Sequence, residues 1–416
     1  MNTSPLRILF IVPYPPSLIR VRAYNLIRHL TLLGHQVTVL TLFTGTAEQA
    51  DAANLTALCH RVIALPLPKW RSLLNCLKAL PTQKPLQAVY CWQPALADEL
   101  AHLIGSNGSG HAFDVVHVEH LRGVEYALFL KSILAANGTN LPIVWDSVDC
   151  ISHLFRQTAA ASHSRFGNLA AHLDLARTER YEGWLANQFS RVLITSEIDK
   201  QAILDLVPPQ EPKPEISLIP NGVDLDYFCP RPTANREPDT LVFSGKMSYH
   251  ANVTMALYLA QEIMPRVWKQ RPTVKLNIVG KAPPKQITAL AQRPGINVTG
   301  LVPDIRPYLQ GAAAAVVPLV YGAGVQFKIL EAMACATPVV TTPQAVAPLS
   351  AEPGRDLLSA KDPEDFAQAI LTLLSDPQMQ QKIGANGRAY IEAHHNWTTI
   401  TAQLTDIYRT ATQRNG

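Results

Sequence analysis

Short runs of β-branched and aliphatic residues recur along this chain, separated by longer helical patterns. In the first half they are Ile8–Val12, HQVTVLTL from His35, HRVIALPL from His60, DVVHVEH from Asp114, LPIVWDS from Leu141 and SRVLITS from Ser190. Most are apolar on both faces, as strands must be when helices cover both sides of a sheet. At LVPPQEPKPE, 206–215, proline and charge concentrate and the pattern breaks. It restarts with TLVFSG from Thr240, VKLNIVG from Val274, INVTG from Ile296, AAAAVVPL from Ala312 and TPVVTT from Thr337, with helical stretches such as 252–270 between them. Alternation of this kind predicts an α/β chain with two doubly wound parallel sheets. The expected domains are 1–206 and 216–385, joined by a linker over 207–215. A helical tail over 386–416 would pack back on the first domain, with Trp397 as its anchor. Ligands of open α/β sheets bind outside the carboxyl ends of the strands, so two such domains facing a central cleft would share one site.

A chain of 416 residues is too long for one ordinary core. Its formal charge of +4 is mild and gives no case for nucleic acid as a partner. The six cysteines form no Cys-x-x-Cys pair and no metal-spaced cluster, which reads as reduced thiols in a cytoplasmic protein. No apolar run reaches spanning length, and MNTSPLRILFIVPYPP lacks the features of a cleaved signal.

The chemistry concentrates in the second half. In FSGKM, a strand ends, Gly245 permits a tight turn, and Lys246 projects from it. Further on, GAGVQFKILEAMA opens with Gly322 and Gly324 and continues with Val325, Ile329 and Met333 four apart, a helical spacing. Glycines at a helix entrance let backbone N–H groups approach an anion. Lys328 adds a positive charge in the first turn. Glu331, three residues on, shares its face and suits the hydroxyls of a ribose. The competing reading is an amphipathic helix whose Lys328 and Glu331 form a surface ion pair.

The second half strongly resembles the family-4, retaining, GT-B-fold glycosyltransferases. The residues that carry it are ISLIPNGVDLDYF from Ile216, LVFSGKM from Leu241, LNIVGK from Leu276, VTGLVPDIRPYL from Val298 and GAGVQFKILEAMACATPVVTT from Gly322. The first half resembles, more weakly, sugar transferases of exopolysaccharide gene clusters, through VPYPP, RVRAYNLIRHL and DSVDCIS. The resemblance implies two Rossmann-like domains, a nucleoside-diphosphate-sugar donor, a glycan or lipid-linked acceptor, retention of anomeric configuration, and no metal or other cofactor. It places the donor on Gly245, Lys246, Lys328 and Glu331, and Gly324 and Val325 at the helix entrance complete the expected donor-binding set. The chain departs from the pattern at Ala323, where the family often has a first glutamate, and at Ala336, usually glycine. SLIRVR, 17–22, replaces a glycine-rich loop, leaving Arg20 or Arg22 to meet phosphate by charge. SYHANVT replaces the family's second phosphate lysine.

FDVVHVEHLRG carries His117, Glu119, His120 and Arg122 at a presumed strand end. The resemblance puts a histidine there beside the transferred sugar, with His120 the best match and Glu119 its competitor; a solvated strand-end cluster is the plainer reading. His117, inside the strand, is expected to be buried. In WDSVDC, Asp146 suits an N-cap, while Asp149 is either a cap or a sugar contact. A lone D-x-x-D is a weak metal signal.

No acidic residue occurs between Asp51 and Asp98, whereas Arg61, Lys69, Arg71, Lys78 and Lys84 do. KWRSLLNCLKAL sets Trp70, Leu73, Leu74 and Leu77 on one helical stripe. The expectation is that this stripe packs on its own sheet. The alternative is a helix lying on an anionic membrane surface, which would make the protein peripheral at the inner face. Other functional readings are a non-catalytic nucleotide-sugar-binding protein and a GT-B sugar-nucleotide epimerase. An NAD-dependent dehydrogenase is disfavoured, because no G-x-G-x-x-G follows the first strand.

Overall fold

A computed structural model describes residues 4–105, 112–161, 167–231, 236–321 and 324–413, with side chains described for all of these except 158–161 and 167–173. The chain forms two compact units, one of residues 1–220 with 397–416 and one of residues 221–396.

The first unit is built on β1 (Arg7–Val12), β2 (Gln36–Phe43), β3 (Arg61–Pro66), β4 (Val115–Glu119), β5 (Ile143–Val148), β6 (Arg191–Ile194) and β7 (Ile216–Leu218). They lie in the order β3-β2-β1-β4-β5-β6-β7, and all neighbours are parallel. Helices cover both faces, which is why these strands are largely apolar. On one face Leu26, Ile27 and Leu30 of the helix Val21–Leu32 meet Trp397, Leu404 and Tyr408 of the helix Trp397–Gln413. On the other, Leu96 and Leu100 pack with Tyr126 and Leu130. Because β7 extends this sheet, Ile216–Pro220 belong to the first unit rather than to a second domain beginning at 216. The helical end of the chain also divides differently from the expected tail. The helix Pro377–His394 lies in the second unit, and only the part from Trp397 lies in the first.

The second unit contains β8 (Glu237–Ser244), β9 (Lys275–Val279), β10 (Ile296–Gly300), β11 (Ala312–Val317), β12 (Val339–Thr341) and β13 (Leu358–Ser359). Their order is β10-β9-β8-β11-β12-β13, again all parallel. Each sheet therefore contains the doubly wound order in which the winding reverses beside its first strand. The crevices lie at the carboxyl ends of β1 and β4 in one unit, and of β8 and β11 in the other.

The helix Lys69–Ala79 reverses the expectation for its stripe. Its buried residues are Ser72 and Ala79, while Trp70, Leu73 and Leu77 are exposed. Among the described residues, no helix is long and apolar enough to cross a membrane.

Candidate functional site

At the end of β8 the chain turns sharply at Gly245, whose φ is 151°. A Cβ on Gly280, just past β9, would sit 1.7 Å from the Gly245 carbonyl oxygen, so the turns after β8 and β9 lie against each other with no room for a side chain. Gly245 N–H donates to the Val279 carbonyl at 3.0 Å. The Asn252 side-chain amide donates to the Lys246 carbonyl at 2.9 Å, pinning the turn from the following helix. Lys246 is exposed beyond this pinned backbone.

The neighbouring β11 runs into the loop before the helix Phe327–Ala334. Gly322 and Ala323, and with them the position of the absent first glutamate, lie outside the described residues. Gly324 has φ 71°, the left-handed conformation that glycine adopts without strain. The Val325 side chain is buried in the core of this unit, so any donor contact from it would come from its backbone. Gln326 occupies the N-cap, and its side chain makes no capping hydrogen bond to the first turn; its backbone carbonyl accepts from the Ile329 N–H at 2.9 Å. Ile329, Leu330, Ala332 and Met333 anchor the helix in the core.

Lys328 and Glu331 lie on the remaining face, both half-buried. The Lys328 ammonium donates to Gln326 Oε1 at 3.2 Å. Glu331 forms no side-chain hydrogen bond or ion pair among the described residues, so the surface salt-bridge reading does not describe this pair. Burial lowers the Lys328 pKa to about 8, opposed by the Glu331 charge. Burial raises Glu331 to about 7, opposed by Lys328. Two desolvated groups of opposite charge thus stand at an uncapped helix entrance. β11, which leads into this helix, pairs with β8, whose end leads into Gly245 and Lys246, at the usual strand spacing of about 5 Å.

Two residues absent from the sequence reading join these loops. The His250 and Tyr321 rings stack with 5.5 Å between centroids, and His250 Nδ1 lies 2.8 Å from the Tyr321 hydroxyl. His250 sits in SYHANVT, which registered in sequence only as a segment lacking a lysine. A tyrosine beside the glycine loop had no partner visible in the primary structure.

In the first unit, β4 ends at Glu119, whose register partner on β5 is Asp146. Glu119 is buried, and burial beside Asp146 raises its pKa to about 8, so it is largely a neutral acid at pH 7. His120 has φ 65°. Its N–H donates to the Asp146 carbonyl at 2.6 Å, and its Nδ1 accepts from the Arg122 N–H at 3.3 Å. Burial, with the nearby Arg122 charge, lowers the His120 pKa to about 4. Val148, at the end of β5, also has positive φ, 69°, and is β-branched. Two strained residues at adjacent strand ends cost on the order of 1–3 kcal/mol each, which the surrounding packing must offset.

Several expected roles change here. Arg22 is not available to phosphate: it is buried, its Nε and Nη2 bond Asp146 at 2.9 and 3.1 Å, and its Nη1 donates to the Ile219 and Pro220 carbonyls. Asp146 is therefore an internal ion-pair partner and not an N-cap. The Glu182 carboxylate caps the following helix, Ile151–Ala161, instead, accepting from the Ile151 and Ser152 N–H groups at 2.8 and 3.0 Å. Arg20 is ion-paired with Glu48 at 2.5 Å and lies 4.6 Å from the Tyr14 ring centroid. Arg122 approaches the same ring and that of Tyr90, forming a cationic–aromatic cluster beside β1. Asp149 is half-buried and accepts from the Thr195 hydroxyl at 3.2 Å; burial and the Asp199 charge raise its pKa to about 6. His117 is buried, stacked on Phe10 and hydrogen-bonded at Nδ1 with the Tyr408 hydroxyl, 2.8 Å away.

Comparisons with known proteins cover both units. A profile for the glycosyl transferase 4-like domain matches residues 19–222, and one for glycosyl transferases group 1 matches residues 238–376. A D-inositol 3-phosphate glycosyltransferase of Catenulispora acidiphila is 29% identical over 217 residues, 46% of this chain and 50% of that one. The chain thus spans about half the length of the curated relatives it matches. Among solved structures, sucrose-phosphate synthase from Thermosynechococcus elongatus aligns with TM-score 0.67 and 18% identity over 97% of this chain and 98% of that one. Anabaena HepE in complex with UDP and glucose aligns with TM-score 0.66 and 16% identity over 97% of this chain and 100% of that one. These likenesses show the GT-B fold, and the two profile matches show that the chain belongs to the family-4 glycosyltransferases.

Proposed function

We propose that the protein transfers a hexosyl group from a nucleoside-diphosphate sugar to a glycan or lipid-linked acceptor, with retention, in cell-surface polysaccharide or glycoconjugate synthesis at the inner face of the membrane. The observation that carries this reading is the Lys328–Glu331 pair, desolvated and unbridged at an uncapped helix entrance. In it, the first-turn N–H groups, Lys328 and Lys246 hold the donor diphosphate. Glu331 accepts hydrogen bonds from the ribose hydroxyls. Scission of the anomeric C–O bond places negative charge on the departing diphosphate and positive charge on the anomeric carbon. The two ammonium groups and the helix terminus stabilise the former, the task that a divalent cation performs elsewhere.

In the first unit, neutral His120 and protonated Glu119 are the groups assigned to the sugar side, and Asp149 to the acceptor. Arg20 retains a positive role there only through its exposed edge.

The test is calorimetry with UDP, GDP, ADP and TDP, followed by donor turnover with candidate acceptors and with chelator present. UDP is the first nucleotide to try, since HepE, of like fold, is solved with it. Binding of one diphosphate, turnover of its sugar and indifference to chelator support the reading. Absence of any nucleotide binding removes it, and binding without turnover across the acceptor series favours a non-catalytic nucleotide-sugar binder.

A further inference from the structure

The helix Lys69–Ala79 displays four large apolar side chains to solvent. Trp70, Leu73 and Leu77, with Leu80 just beyond its end, are 58, 63, 54 and 51% exposed. Spacings of three, four and three residues place them on a single stripe. At 100° per residue, the buried Ser72 and Ala79 lie on the opposite side. Lys69 flanks the stripe on one side, and Arg71 and Lys78 flank it on the other. Arg71 lies over the Trp70 ring at 4.7 Å. Arg177 donates to the Leu80 carbonyl at 2.8 Å and adds positive charge at the helix end. The sequence from Ala52 to Ala97 contains no carboxylate that would oppose it.

An exposed apolar stripe is costly in water, and scattered surface leucines do not line up in this way. Asn75 donates to the Trp92 carbonyl at 2.8 Å, fixing the underside to the unit. We infer that this helix docks the protein onto an anionic lipid bilayer, with Trp70, Leu73, Leu77 and Leu80 entering the acyl boundary and Lys69, Arg71 and Lys78 meeting lipid phosphates. Charge selects this occupant: a basic rim around a narrow apolar ridge complements an anionic interface.

The helix follows the carboxyl end of the edge strand β3, the end of the sheet that also carries Glu119 and His120. It packs beside the short helix Leu86–Val89, whose Gln87 accepts from Arg122 Nε at 2.5 Å. A bilayer-borne acceptor would thus approach the sugar-side residues of the same unit. That extension rests on the sugar-transfer reading; the bilayer contact does not.

The experiment is co-sedimentation of the full chain, without nucleotide, with vesicles of phosphatidylcholine alone or of phosphatidylcholine with phosphatidylglycerol. Recovery with the anionic vesicles at low salt, lost as salt rises, is expected. Leu73→Ser with Leu77→Ser should abolish it, and Lys69→Gln with Lys78→Gln should lower the partition coefficient about tenfold or more. Circular dichroism melts matching the parent show that these exposed substitutions leave the fold intact. Equal recovery with both vesicle types, no recovery with either, or unchanged binding by the leucine variant overturns the inference. So does light scattering that finds a parent dimer dissociated by the leucine substitutions, since a second copy then covers the stripe.

Discussion

The Tyr321 hydroxyl lies 2.8 Å from His250 Nδ1, and the two rings stack within 8° of parallel. This contact links the helix after β8 to the loop after β11; Lys246 lies in the turn before that helix, and Lys328 in the helix that follows that loop. Thr254 adds a second contact to the same hydroxyl at 3.2 Å. His250→Ala should loosen the glycine loop and weaken nucleotide diphosphate binding several-fold while leaving the melting temperature of the second unit nearly unchanged. Tyr321→Phe keeps the stacking and should lose less. Calorimetry on the two variants checks the order.

Lys328 and Glu331 should separate by what they recognise. Lys328→Ala removes a charge-assisted contact to phosphate and should weaken diphosphate affinity by about tenfold to a hundredfold. Glu331→Ala should leave diphosphate recognition largely intact but abolish discrimination between ribonucleotides and their deoxyribose counterparts. Competition binding with paired ribo- and deoxyribonucleotides reads both effects.

Nucleotide affinity should pass through a maximum with pH. Glu331 ionises near pH 7, and its charged form is the better acceptor for ribose hydroxyls. Lys328 loses its charge above about pH 8, which removes attraction for phosphate. Affinity therefore rises toward neutrality and falls in mildly alkaline solution. Glu331→Gln should remove the acidic limb and, by taking away the charge that holds the Lys328 pKa up, move the alkaline limb to lower pH.

Glu119 links pH to the stability of the first unit. Its folded-state pKa is raised to about 8, from an ordinary carboxyl value of 4.5. Between these values the folded chain binds more protons than the unfolded one, so stability falls as pH rises from about 4.5 to about 8. Glu119→Gln should flatten that slope, stabilising the unit at pH 8 relative to the parent and doing little at pH 5. Thermal melts at both pH values decide it.

Ala336 has φ 52° at the end of the helix Phe327–Ala334, a conformation that costs a residue with a Cβ about 1–2 kcal/mol. Arg236 holds the bend by donating to the Cys335 and Ala336 carbonyls at 3.1 and 2.8 Å. Ala336→Gly should raise the melting temperature of the second unit by a few degrees. By contrast, a Cβ on Gly384 would meet the Ala336 carbonyl oxygen at 2.2 Å, so Gly384→Ala should be strongly destabilising.

Most strands legible in sequence are central ones buried on both faces, because double burial demands an unbroken apolar run; the edge strands β3 and β10 were legible through their β-branched and aliphatic residues although they are only partly buried. The missed strands, β7 and β13, are edge strands of three and two residues. Such pieces are too short to show a period. Gly245, Lys246, Lys328 and Glu331 stand out as candidates because they sit at fixed offsets from strand and helix signals, while their donor role comes from the family resemblance, since spacing alone also fits a surface ion pair. Arg22 could not be read correctly: its partner, Asp146, lies 124 positions away, and sequence spacing carries no information about that encounter. The stripe at Trp70 was visible as a pattern, but periodicity alone does not say which side of a helix meets the protein.

The helix Trp397–Gln413 completes the first unit although the whole second unit precedes it in the chain. On the ribosome, the face of the first sheet around Phe10 and His117 must wait for Trp397, Leu404 and Tyr408, while residues 221–396 already have all their own partners. The later-encoded unit is thus free to mature before the earlier one, and the nascent chain carries an uncovered apolar sheet face in the interval, a natural point for chaperone capture.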